Sequence, residues 1–193
     1  MTYSDIVFIG NEVRFILNTT YNINLAAQNA SLAARNGGNI KGFQVVANEL
    51  KNFSNKLAGA MDILAKDIFK ISESVSMIYK EQRVLNIFQD TTNRLNDINV
   101  LQDVIQQANT RYDEIYDLLQ ERLINLEKFL TRSLKEYGRG MSLARSALIE
   151  SSVDSISVTM LKNVARDLER TINDIFVRLK TIEKRVITSK ECA

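Results

Sequence analysis

The sequence predicts an all-α fold of long antiparallel helical hairpins, and three observations lead to that prediction. The 193 residues include no proline, only seven glycines, and long apolar heptad repeats. Proline breaks helix interiors and glycine weakens them, so few breakers favour long continuous helices. Apolar residues spaced alternately by three and four fall on one side of a helix. A β-rich fold needs more turn residues than this chain contains.

The first heptad seam predicts a helix that ends at a tight turn. Ser4 or Asp5 is expected to cap its start. The seam comprises Ile6, Ile9, Val13, Ile16, Thr20, Ile23, Ala27, Ala30 and Ala34. Paired glycines flanked by asparagines then supply the positive backbone φ that a reversal needs, so a turn is predicted near 36–41.

A second seam starts at once and predicts a helix antiparallel to the first. One heptad position stays apolar from Phe43 to Leu85. The second apolar position of the heptad, the companion position, is filled by Val46, Phe53 and Ala60 at first and by Met61, Ile68 and Val75 further on. This change predicts that the seam slips by one residue along the helix. Residues 43–137 form either one helix or two that meet near 89–97, because cap-forming side chains cluster there.

Two further apolar stripes predict a second hairpin. Gly138 and Gly140 favour a helix end, so a turn is predicted near 138–140. The serines of 151–155 favour a kink or restart. The expected organisation is therefore a first hairpin over 1–90 and a second over 91–193. A lone two-helix hairpin buries only half of its seam. We expect a homodimer that forms a four-helix bundle, and the alternative is intrachain packing of the two hairpins.

Composition argues against several classes of function. The 25 basic and 23 acidic residues give a net charge of +2, which is too balanced for a nucleic-acid binder. The C-terminal basic residues are interleaved with acids and are interpreted as a solvated helix face rather than a nucleic-acid or lipid patch. They are Arg178, Lys180, Lys184, Arg185 and Lys190. No apolar run reaches the roughly 20 residues that span a bilayer, and Cys192 is the only cysteine, so a soluble cytoplasmic protein without membrane insertion is expected.

The sequence offers no chemistry for catalysis. Histidine, the commonest general base and transition-metal ligand, is absent. One cysteine cannot build a thiolate metal site, and no phosphate-binding glycine loop is present. We therefore expect no catalytic residues, no cofactor and no metal, and a protein that is not an enzyme.

The run 35–51 carries more information than a helical pattern. It reads Arg-Asn-Gly-Gly-Asn-Ile-Lys-Gly-Phe-Gln-Val-Val-Ala-Asn-Glu-Leu-Lys. It resembles the cytoplasmic hairpin tip of methyl-accepting chemotaxis proteins, whose motif is roughly Arg-Ala-Gly-Glu-x-Gly-Arg-Gly-Phe-Ala-Val-Val-Ala-x-Glu-Val-Arg. The identical positions are Arg35, Gly37, Gly42, Phe43, Val45, Val46, Ala47 and Glu49. Upstream, 25–35 resembles the family's Leu-Ala-Leu-Asn-Ala-Ser-Ile-Glu-Ala-Ala-Arg with one residue deleted, so the resemblance covers about 20–60.

The resemblance implies a cytoplasmic four-helix dimer tip, grouped into trimers of dimers, that contacts a histidine kinase and its coupling protein. Arg35 would then serve polar contacts between dimers, Asn29 the tip surface, and Glu49 the outer face of the second helix. Phe43 and Val46 would lie either in the bundle core or in the contact zone. The implied protein-binding tip comprises Asn29, Arg35, Gly37, Gly42, Phe43, Val46 and Glu49.

The chain also departs from the family pattern. The deletion removes the acidic residue before Ala-Ala-Arg, Gly38 replaces a glutamate and Ile40 a glycine. We find no sensor, membrane or linker region, so an ordinary adapting receptor is not expected. The expectation is a chemoreceptor-like signalling or adaptor protein that docks to the kinase, the coupling protein or chemoreceptor arrays. The alternative is a receptor-derived coiled-coil scaffold that binds an unrelated protein.

Overall fold

Four long helices make up nearly all of the described chain. The computed structural model describes residues 2–36, 41–94, 99–150 and 157–191. The helices are α1 (Tyr3–Asn36), α2 (Lys41–Arg94), α3 (Asn99–Glu150) and α4 (Ser157–Glu191). The described residues include no strand, so the all-α prediction is confirmed. None of these four helices contains a stretch that is both long and apolar enough to cross a membrane.

The helices close into an antiparallel ring within one chain. Each helix packs on the next in sequence, and α1 also packs on α4. Asp5 pairs with Arg185 and Glu12 with Arg178, so α1 and α4 run in opposite directions. The result is an up-down-up-down four-helix bundle with one continuous apolar core. Of the two arrangements left open by the sequence, the structure shows intrachain packing.

The predicted slip of the α2 seam is wrong. The buried companion positions are Ala47, Ser54, Met61, Ile68 and Val75, which keep one regular spacing. The seam accommodates a serine because its hydroxyl is paired: Ser54 Oγ donates to the Thr20 carbonyl at 2.6 Å. Thr20, also buried, donates to the Ile16 carbonyl at 2.6 Å. A hydroxyl group that forms a hydrogen bond costs little free energy when it is buried. A search for apolar residues alone therefore misses Ser54 and misplaces the seam.

The predicted turn near 138–140 is also wrong, because α3 continues through it as far as Glu150. Gly140 is buried, and a Cβ atom there would overlap the ring of Phe53. Gly140 is therefore a packing site rather than a helix end. Gly138 faces open space. The restart suggested for 151–155 falls outside the described residues.

The other two predicted connections agree with the helix ends. α1 ends at Asn36 and α2 begins at Lys41, although 37–40 lie outside the described residues. α2 stays helical through 89–93 and ends at Arg94, and α3 begins at Asn99, so two antiparallel helices replace the single helix that 43–137 also allowed.

The helices differ in length, and this divides the molecule into two parts. α2 and α3 have 54 and 52 residues, whereas α1 and α4 have 34 and 35. The hydrogen bond between Asn24 and Asn55 fixes a register that places the start of α1 beside about residue 76 of α2. The Arg145–Glu169 pair likewise places the end of α4 near residue 123 of α3.

α2 and α3 therefore continue past their neighbours as a two-helix extension. We call residues 76–94 and 99–121 the arm, and the four-helix remainder the body. At the opposite end, Gly42 lies against Glu150, so the start of α2 and the end of α3 meet there. We call this the closed end.

Candidate protein-docking site at the closed end

The residues implied by the chemoreceptor resemblance gather at the closed end. Asn29 and Arg35 lie in the last two turns of α1, while Gly42, Phe43, Val46 and Glu49 lie in the first turns of α2. Gly37 is outside the described residues. The helical hairpin thus places both halves of the run 25–51 at one end of the body.

These residues divide into exposed and buried groups. Asn29, Arg35 and Glu49 are exposed. Phe43 is fully buried, and Val46 is half-buried against the same core. Phe43 is therefore a core residue in this chain, which decides between the two readings that the resemblance left open for it. A partner would meet the three polar side chains rather than Phe43.

Gly42 contacts α3 at the closed end. It is half-buried, and a Cβ atom on it would overlap the carboxylate of Glu150. That carboxylate ends a flexible side chain and would turn aside for a larger residue, so the contact places the last turn of α3 beside the start of α2 without requiring a glycine there.

Exposed apolar side chains surround the closed end, and the sequence analysis missed them. On the outermost heptad position of α1, polar residues give way to leucines toward the closed end. That position carries Ser4, Asn11, Asn18, Leu25 and Leu32.

α2 and α3 show the same change at their outermost positions. Val45 begins a row that continues with Asn52, Gly59 and Lys66, and Ile149 ends one that contains Lys128, Lys135 and Ser142. Leu32, Val45 and Ile149 are 57%, 62% and 72% exposed, and other apolar side chains such as Phe69 are as exposed elsewhere in the described chain. We call Leu25, Leu32, Val45 and Ile149 the apolar collar. These residues share a level of the bundle but stand on three different helices, where each could anchor a protein contact.

A shallow groove lies below the collar, between α2 and α3. Its volume is about 550 Å³, and its walls include Glu49, Lys56, Lys135 and Arg139. Arg139 pairs with Glu136 at 3.2 Å on the exposed surface. Small-molecule sites are usually concave and mostly apolar, so this open charged groove is better suited to contact with another protein.

A repeated arginine clamp joins α1 to α4. Arg178 pairs with Glu12 at 2.6 Å and lies 3.6 Å from the centre of the Phe15 ring. Seven residues further along α4, Arg185 pairs with Asp5 at 3.0 Å and lies 4.0 Å from the Phe8 ring. Each arginine thus combines an ion pair with a cation–π contact.

The clamp corrects two expectations. Arg178 and Arg185 were interpreted as part of a solvated face, yet both are partly buried against α1. Asp5 does not cap α1 by itself: Thr2 is the N-cap, and Thr2 and Asp5 exchange hydrogen bonds at 2.9 and 3.2 Å as a capping box. The hydroxyl of Thr2, assisted by the charge of Arg185, holds the pKa of Asp5 below its ordinary value of 3.8.

The described residues show little that resembles reaction chemistry. They contain no group of three or more His, Cys, Asp or Glu side chains that would hold a metal ion. Burial raises the pKa of Tyr137, whose ring stacks on Phe176 at 4.9 Å, so its hydroxyl group stays protonated. This tyrosine belongs to the apolar core of the body.

Comparison with protein-family models, curated proteins and solved structures finds no match for the chain. The resemblance to chemoreceptors therefore rests on the run around 35–51 alone. In the structure, the exposed residues of that run lie at the closed end beside the apolar collar.

Proposed function

We propose that the protein is a non-enzymatic, cytoplasmic signalling adaptor of the chemoreceptor type. Its closed end would dock to a chemosensory histidine kinase, to the kinase's coupling protein, or to chemoreceptor arrays. The observation that supports this most is a coincidence of position. The residues that resemble the chemoreceptor tip and the apolar collar occur at the same end of the body.

The collar would supply the binding free energy of this contact. Leu32, Val45 and Ile149 project from three different helices near their ends at the closed end. Burying exposed apolar area contributes about 25 cal/mol per Å², so a few such side chains can anchor a protein contact.

The exposed polar residues would supply specificity. Asn29, Arg35 and Glu49 provide an amide, a guanidinium and a carboxylate around the apolar anchors. An apolar centre with a polar rim is the usual anatomy of a protein interface. Arg35 suits planar, two-pronged contacts with a partner carboxylate.

The second hairpin would take the place that a second chain holds in a receptor dimer. α3 and α4 complete the four-helix body, and the end of α3 lies at the closed end. A homodimer, which the sequence also allowed, is then not required to bury the seam. One copy would present a complete four-helix end to its partner.

The test is retention of a purified chemosensory coupling protein and kinase on the immobilised chain. Leu32→Asn/Val45→Asn should reduce retention at least about ten-fold, since both side chains are apolar anchors. Val177→Asn is the matched control, because Val177 is an exposed apolar residue on α4 of the body. Circular dichroism should show equal helicity in all three proteins. Absence of wild-type retention, or equal retention by both variants, would contradict the proposal.

The alternative scaffold function has one observation in its favour. Only the α1–α2 hairpin carries the receptor-like run, and its turn sequence departs from the family at Gly38 and Ile40. A scaffold that retained the closed end but changed partners would ignore the coupling protein. It would instead capture another cytosolic protein in a manner that Leu32→Asn/Val45→Asn abolishes and Val177→Asn does not.

A further inference from the structure

The arm contains helix faces that no other part of the described chain covers. In the body, Leu64, Ile71 and Leu123 are fully buried because α1 and α4 lie over α2 and α3. Past the ends of α1 and α4, Ile105 and Ile115 are only half-buried. Along the arm, the places that α1 and α4 fill in the body are therefore unoccupied by any described residue.

The charge of the arm differs from that of the body. The arm contains seven acidic and four basic side chains, a net charge of −3, whereas the rest of the chain carries +5. The exposed acids of α3 in the arm are Asp103, Asp113, Glu114, Asp117 and Glu121. This charge favours a basic occupant.

The acidic side of the arm is the side that α4 covers in the body. Thr131 and Arg145 contact Glu183 and Glu169 of α4. Asp103 and Asp117 precede them at whole multiples of seven residues, so they continue the same row along α3. The row that faces α4 in the body thus faces an unoccupied position in the arm.

A second copy of the chain fits this position poorly. Parallel pairing of two arms would drive the partner's body into α1 and α4. Antiparallel pairing avoids that collision but sets α3 beside α3. The rows that contain Asp103 and Asp117 would then face each other, and like charges at such distances repel.

The α1–α4 clamp shows how this protein holds an arginine-bearing helix. On α1, an acid is followed three residues later by an aromatic ring, as Asp5 is by Phe8, and the pair receives an arginine of α4. Asp113 and Tyr116 repeat that spacing on the arm. The Tyr116 ring stacks on Tyr112 at 6.2 Å. This acid and ring could receive a guanidinium group from an added helix.

We propose that the arm is a docking site for a basic amphipathic helix of another protein, which lies along α3 in line with α4. Its apolar side covers the half-buried seam residues of the arm, and arginines on its flank pair with the acidic row. This site is separate from the closed end, so the two would let one molecule bridge two partners.

The experiment uses the full chain and two synthetic helical peptides of about 24 residues, long enough to cover the arm at about 1.5 Å per residue. Both peptides carry a leucine heptad seam; one has arginines at its flanking positions and the twin has glutamates there. Fluorescence anisotropy should show the arginine peptide binding at least about ten-fold more tightly, with affinity falling as salt rises. Equal affinity of the twins, or no binding of the arginine peptide, would overturn the proposal.

A charge-matched pair of variants locates the site. Asp103→Asn/Asp117→Asn should weaken binding of the arginine peptide at least about ten-fold. Asp62→Asn/Asp67→Asn makes the same charge change on α2 of the body and should leave affinity unchanged. Equal loss in both variants would overturn the proposal, as would light scattering that shows a dimer held by the arms. Failure of the coupling-protein test leaves these outcomes unaffected, because that test concerns the other end of the molecule.

Discussion

The body and the arm place the same two helices in different surroundings. In the body, seam residues of α2 and α3 pack against two neighbouring helices, and Leu64, Leu126 and Leu130 lose all contact with solvent. In the arm, the described residues give each helix only its partner. Four seam residues stay buried between the two helices: Ile78, Leu85, Ala108 and Leu119. Ile105, Tyr112 and Ile115 are only half-buried. A heptad seam therefore specifies a partner face, but the ends of α1 and α4 determine how completely it is covered.

Two hydrogen bonds of Arg122 join α2 and α3 at the junction of body and arm. Arg122 of α3 donates to the Lys70 carbonyl at 2.5 Å and to Ser74 Oγ at 2.7 Å. It lies close to the level at which α4 ends, so it links α2 to α3 where the neighbouring helices stop. A charged donor to a backbone carbonyl contributes more than a neutral one, which suits a residue that fixes the base of the arm.

The largest expected difference between the two regions concerns core truncations. Leu126→Ala should destabilise the protein by about 3 kcal/mol, since it empties a fully enclosed site in the body. Ile115→Ala in the arm should cost about 1 kcal/mol, because that side chain is half-buried and solvent can enter the space. Urea unfolding followed by circular dichroism measures both. Equal losses would contradict the difference in coverage.

Two glycines of α3 give the next largest effect, and they test whether the helix continues through 138–140. Gly140→Ala should destabilise by up to about 2 kcal/mol, because overpacking against Phe53 costs about 1–3 kcal/mol and better helix propensity offsets about 1 kcal/mol. Gly138→Ala faces open space and should stabilise by about 0.5–1 kcal/mol. If α3 instead ended at Gly138 in a left-handed cap, Gly138→Ala would destabilise. Thermal unfolding separates these outcomes.

The α1–α4 clamp gives the smallest effect. Arg178→Ala should cost about 1 kcal/mol, since the guanidinium is partly exposed and solvent screens its ion pair. Arg178→Lys should recover only part of this loss, because an ammonium group keeps the charge but not the planar stacking on Phe15. A matching change in the arm, Arg111→Ala, should be close to neutral, since Arg111 is exposed.

Acid should weaken the same clamp. Because the pKa of Asp5 is lower in the folded protein than its ordinary value of 3.8, its stabilising contribution is complete above that pH. The contribution is lost as pH falls through the lower folded value. Asp5→Asn should therefore remove part of the pH dependence of unfolding below pH 4, and an unchanged acid limb would contradict this assignment.

Much of the fold could be predicted from the sequence, because it depends on local pattern. The α1 seam is buried as predicted, and α1 and α2 are the predicted antiparallel pair, with α1 ending at Asn36 and α2 beginning at Lys41. The turn near 138–140 failed because a glycine within a helix looks the same in sequence whether it ends the helix or admits a neighbouring ring. The Phe53 ring that explains Gly140 lies far away in sequence.

The site was predictable only in part for a related reason. The run 35–51 identified the closed end, and the predicted α2 seam correctly includes Phe43. Its companion position was wrong, with Val46 and Phe53 in place of Ala47 and Ser54, because the buried Ser54 hydroxyl donates to Thr20, which lies in another helix. The clamp joins residues more than 160 positions apart, so no local sequence pattern predicts it. The collar, by contrast, is readable from sequence once the seam is correctly phased.

Hydrogen exchange of the full chain, with and without a purified chemosensory coupling protein, tests the docking role of the closed end most directly. The account predicts added protection of backbone amides in 29–50 and 143–150, with no change in the arm. Protection confined to 76–121, or none at saturating coupling protein, would contradict it.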